Sequence, residues 1–75
     1  MDMKFTYDEE ANAAYLELAP KDDAARLRQV WASPEGLNFD LVLDIGPDGR
    51  MLGIEIIGAR DALSREVLDT ASVDS

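Results

Sequence analysis

The feature that most narrows the possible folds of this chain is a pair of alternating apolar runs set either side of Pro47, Asp48, Gly49 and Arg50. In residues 39–45, Phe39, Leu41, Leu43 and Ile45 fall on one side of an extended strand, with Asp40, Val42 and Asp44 on the other, because successive strand side chains point to opposite faces. Residues 51–57 repeat the pattern, with Leu52, Ile54 and Ile56 opposed to Gly53, Glu55 and Ile57. A four-residue loop sets Ile45 opposite Leu52, Leu43 opposite Ile54 and Leu41 opposite Ile56, so every large aliphatic meets another. A three-residue loop pairs Asp44 with Leu52 and loses the match.

The rest of the chain extends that hairpin. Residues 3–7 alternate, and the polar residues Asp8, Glu9, Glu10, Ala11 and Asn12 lead into a second run at 13–18, which together read as another hairpin. Residues 19–23 form a polar loop around Pro20, which has no N–H to give to a ladder and disfavours helix in the residue before it. A third strand is expected over 26–32, ended by Ser33, Pro34, Glu35 and Gly36. After Gly58, the residues Ala59, Ala62, Leu63, Val67 and Ala71 share one helical stripe, with Asp61, Arg65 and Asp69 at i,i+4 spacing. Ser64 reads as an N-cap flanked by a Leu63 and Leu68 staple, which divides the segment into a helical turn at 59–63 and a helix from Arg65 to about Ser72. Val73, Asp74 and Ser75 are expected to fray.

The fold class expected is therefore α+β: an antiparallel β-meander of four to five strands with a C-terminal helix packed on one face. It forms a single domain over residues 1–75, with an ordered core of about 3–72. Leu41, Leu43, Ile45, Leu52, Ile54 and Ile56 are expected to lie beneath Leu63 and Val67, each large-to-Ala change costing about 2–5 kcal/mol.

A chain of 75 residues buries only roughly 60% of its unfolded surface. With 47% hydrophobic residues but one Trp, two Phe and two Tyr, its core must be mainly aliphatic. A thin core of that kind gains stability by self-association, so a two-fold homo-dimer is expected, through a sheet edge or through the face carrying Val42 and Ile57. The chain has neither Cys nor His, which excludes disulfides, thiolate and imidazole ligands, Cys nucleophiles and His-dependent triads. Sixteen acidic against seven basic side chains give a net charge of −9, a field that repels phosphate backbones, so no direct nucleic-acid partner is expected. The opening MDMKFTYDEE lacks a basic region followed by an apolar run, and no segment approaches the roughly 18 apolar residues of a membrane span. The expectation is a cytoplasmic protein with no membrane partner.

The stretches FTYDEEANAAYLEL and LVLDIGPDGRMLGIEIIGA resemble, in that order, the two signature stretches of the small bacterial YuzE-like family, a domain of unknown function. The likeness spans most of residues 3–63, and the strand, Asp-Gly turn and Gly-Ile-Glu-Ile strand are its more specific half. Asn12 stands where the family pattern has an acidic residue, and residues 26–38 with Trp31 follow no part of it. The resemblance implies a four- or five-stranded meander with a terminal helix and transfers no catalytic residue. Some relatives are encoded beside small toxin-like proteins, which implies an antitoxin-like partner role.

Three constellations carry possible chemistry. Asp44, Gly46, Asp48, Gly49 and Glu55 match positions 1, 3, 5, 6 and 12 of a calcium-binding EF-hand loop. Gly at the third position and strand-like flanks argue for a turn instead. Asp40, Asp44 and Glu55, with Glu17 near, share a sheet face and are the candidate metal ligands, but a solvated face is the simpler account. Val42 and Ile57 on that face form an apolar pair ringed by carboxylates, and Trp31 is either core filler or an interface anchor; these three are the interface candidates. No catalytic residue and no cofactor is expected. The leading expectation is a non-enzymatic protein-interaction or antitoxin-like regulatory module with a basic protein partner. The alternative is a small metal-binding protein or metal-assisted hydrolase using the sheet-face carboxylates.

Overall fold

The hairpin expected around Asp48 and Gly49 is present as strands β4 (Asp40–Ile45) and β5 (Met51–Ile57) in a computed structural model that describes residues 3–20 and 27–73. Gly49, at φ 83°, closes its turn, and Asp48 Oδ1 accepts from the Arg50 N–H at 3.1 Å. Leu43 faces Ile54 and Leu41 faces Ile56, as the alternation requires. Ile45 faces Met51 rather than Leu52, because a β-bulge follows Asp44 and leaves Leu52 as the extra residue. The Leu52 carbonyl is then turned to another use, accepting from the Leu18 and Ala19 N–H groups at 2.9 and 3.1 Å.

Strands β1 (Lys4–Asp8) and β2 (Ala13–Glu17) form the second hairpin. Strand β3 (Arg28–Ala32) pairs antiparallel with β4; Arg26, placed in this strand by the sequence, lies outside the described residues, as do Lys21, Asp22 and Asp23 of the expected loop. The strand order is β3-β4-β5-β2-β1-β6, where β6 (Ser72–Val73) runs parallel to β1. A simple meander is thus corrected: β2 docks beside β5 instead of β3. That pairing prolongs two apolar rows across the sheet, one through Tyr7, Ala14, Ile56 and Leu41, the other through Phe5, Leu16, Ile54, Leu43 and Val30.

Two four-residue helices, α1 (Ala59–Ala62) and α2 (Arg65–Leu68), take the place of one covering helix. They divide at Ser64, whose Oγ accepts from the Val67 N–H at 3.3 Å. Arg65 pairs with Asp69 at 3.2 Å. Helix α2 ends earlier than expected, and Val73 lies in β6 instead of fraying, because the β1 edge offers backbone partners to an extended segment. The cap also sets the helix phase: Leu68 is buried at 8% exposure while Val67, expected in the core, is 43% exposed. Leu68, Ala59 and Ala14 form an apolar cluster joined by Phe5, Tyr7, Ile56 and Leu63. Leu41, Leu43, Leu52 and Ile54, expected under the helix, are only half-buried.

Candidate functional site

The opposite face is the one the sequence leaves to solvent, and the structure corrects that reading at Val42 and Asp44. Its central row runs Trp31, Val42, Glu55, Tyr15, Thr6. Val42 is 1% exposed and Asp44, two residues on, 4%, so Val42 offers no surface to a partner. Ile57, half-buried between Ala13 and Asp40, is separated from it by two residues along the strand direction. Trp31 is 61% exposed and so is not core filler; an edge strand leaves its ring with a neighbour on one side only.

Asp44 is the centre of a polar junction between three strands. The Tyr15 hydroxyl of β2 donates to Asp44 Oδ2 at 2.7 Å, and Gln29 Nε2 of β3 donates to Oδ1 at 3.1 Å. Hydrogen bonds to a carboxylate are among the stronger ones, and these two offset part of the cost of burying it. Tyr15 reaches Asp44 by lying across Gly53, where any Cβ would overlap its hydroxyl and ring. The sequence reading assigns Gly53 to a strand and passes over Tyr15. The signal was there, since a glycine inside a strand marks a close approach by another group.

Asp40, Asp44 and Glu55 do share this face, but Asp40 stands opposite Ile57 and Glu55 opposite Val42. Among the described residues no three acidic side chains converge as a metal site. Both Asp44 oxygens serve the internal junction, which makes the residue a structural acceptor between strands.

A second junction lies at the helix end of the molecule and was also missed. Asn12, at φ 52°, is the described non-glycine residue with a left-handed backbone, a conformation Asn tolerates better than most. Its carbonyl accepts from the Gly58 and Ala59 N–H groups, both at 2.9 Å, and its Oδ1 from the Arg60 N–H at 2.8 Å. Gly58, at φ 86°, must be glycine, since a Cβ there would lie 2.8 Å from the Asn38 carbonyl oxygen. Beside this junction a groove of about 290 Å³ runs between Tyr7, Glu9, Arg60, Leu63 and Arg65, with Arg60 Nη1 donating to the Glu9 carbonyl at 3.3 Å.

The remaining surface of note is the second apolar row, in which Phe5, Leu16, Ile54 and Leu43 are half-buried and Val30 is 38% exposed. Ala59 and Leu68 of the helices cluster with Ala14 of the neighbouring row, and Phe5, Tyr7 and Ile56 pack against them. No helix among the described residues is long and apolar enough to cross a membrane.

No curated protein and no solved structure matches the chain. Residues 4–60, the span that holds β1 through β5, both polar junctions and the start of α1, match the family described as "Protein of unknown function (DUF2283)". Because that match takes in most of the chain and all five antiparallel strands, the protein belongs to this family.

Proposed function

We propose that this protein is a non-enzymatic interaction module that engages a basic protein partner through the half-open apolar row of its sheet. The observation that carries the reading is that row: Leu16, Leu43 and Ile54 are half-buried and Val30 is exposed, while the cluster formed by Ala59 and Leu68 of the two short helices takes in only Phe5 at the far end of the row. Contiguous apolar surface rimmed by polar groups is the usual mark of a contact site. The net charge of −9 favours a partner of opposite sign and speeds its encounter. With neither Cys nor His in the chain, and Asp44 engaged by Tyr15 and Gln29, the inventory suits recognition better than catalysis. The likeness to YuzE-like proteins, some encoded beside small toxin-like proteins, supports an antitoxin-like regulatory role.

Affinity capture with the full chain from its native cell tests this. Wild type is expected to retain a stoichiometric, identifiable basic protein that Leu43→Asp and the more exposed Val30→Asp both release while keeping a wild-type far-ultraviolet spectrum. Recovery of no stoichiometric partner across several salt concentrations would overturn the reading.

A further inference from the structure

The two edges of this sheet are not equivalent. At one, β6 pairs with β1 and blunts it; the other is β3, five residues without proline or bulge and with a charged side chain only at its first position, Arg28. Natural edge strands usually carry such devices to prevent pairing with another chain. On β3, Val30 is exposed on one face and Trp31 on the other. Residues 24–34, which include β3, form the longest stretch of the chain with no acidic side chain, and carry Arg26 and Arg28.

We propose that β3 is a self-pairing edge, at which two copies of the chain join antiparallel about a two-fold axis through Val30. This rests on the interaction reading of the apolar row and names a second copy as one occupant of its open end. The register follows from the strand itself. Centring on Val30 pairs all five residues of β3, setting Arg28 opposite Ala32 of the other copy, Gln29 opposite Trp31, and Val30 opposite Val30. No like charges then stand opposite each other, which is the arrangement that weakens a strand pair. Centring on Trp31 or Gln29 leaves strand residues without a partner. The chosen register also carries the row Phe5, Leu16, Ile54, Leu43 and Val30 across the axis into its own repeat, and lays each Trp31 ring beside the stem of Gln29 of the other copy. Mutual repulsion of two acidic copies is reduced at this edge, because β3 brings no acidic side chain to the seam.

The absence of native cysteine makes the register directly readable. Directly opposed strand residues lie within reach of a disulfide, so single cysteines are placed in the full chain at positions 28, 29, 30, 31 and 32 and oxidised. Val30→Cys is expected to cross-link to a covalent dimer several-fold faster than any other single variant. Gln29→Cys mixed with Trp31→Cys is expected to cross-link where neither does alone. Sedimentation of wild type at tens of micromolar is expected to give a dimer. A monomer there, or cross-linking with no preference for position 30, overturns the proposal. A dimer that instead cross-links through Leu43→Cys overturns the edge while leaving the interaction reading standing; capture of a partner by a strictly monomeric chain does the same.

Discussion

At the scale of single residues, Gly53 and Tyr15 act as one unit across two strands. A methyl group at position 53 would occupy the place of the Tyr15 hydroxyl and ring and lie 3.1 Å from the Leu16 carbonyl oxygen. Gly53→Ala therefore has to displace the ring and break its bond to Asp44. Losing a hydrogen bond to a charged group costs about 1.5–3 kcal/mol and overpacking about 1–3, offset by the better strand propensity of Ala. The expected net cost is about 2–4 kcal/mol in urea denaturation. In a Tyr15→Ala background the same change is expected to cost much less; fully additive costs would show that the two do not share a site. Asn12 gives a second prediction at this scale. Asn12→Asp keeps both the Oδ acceptor for the Arg60 N–H and tolerance of the left-handed backbone, so it is expected to melt near wild type. Asn12→Ala loses both, at about 1–2 kcal/mol for the acceptor alone, and Asn12→Gly falls between. An Asn12→Ala protein as stable as wild type would remove the junction from the account.

At the scale of elements, four residues are too few for α2 to stand on helix propensity, and its stability comes from the face it buries. That face is Leu68. Leu68→Ala is expected to cost about 2–3 kcal/mol, and Val67→Ala, one position away and 43% exposed, within about 0.5. Equal thermal shifts for the two would mean that α2 is rotated from the position described. Leu43 is half-buried, and Leu43→Ala accordingly belongs below the 2–5 kcal/mol range of a filled core site.

At the scale of the whole molecule, the excess of acidic groups opposes compaction. Among the described residues the ion pairs Arg50 with Asp48 and Arg65 with Asp69 are both largely exposed, and exposed pairs contribute little. Most of the net charge of −9 is therefore felt as self-repulsion, which salt screens as the Debye length falls from about 30 Å at 10 mM to about 8 Å at 150 mM. The melting temperature of the chain is expected to rise over that interval, and self-association to strengthen with it. A fall in both would mean that attractive charge pairs dominate.

What the sequence determined by itself was local. Alternation and turn chemistry identified both hairpins, the pairings of Leu43 with Ile54 and Leu41 with Ile56, the turn at Asp48 and Gly49, and the division at Ser64, because each depends on residues adjacent in the chain or joined through one short turn. The docking of β2 on β5, the parallel β6, and the burial of Val42 and Asp44 were decided only in the tertiary structure. A period of two assigns side chains to two faces without saying which positions will be covered, and here Val42 and Asp44 on the face bearing the carboxylates are buried, with Tyr15 crossing Gly53 to reach Asp44. Contacts between segments far apart in the chain leave no periodic trace in either segment, since each residue's partner is set by how all the strands assemble at once.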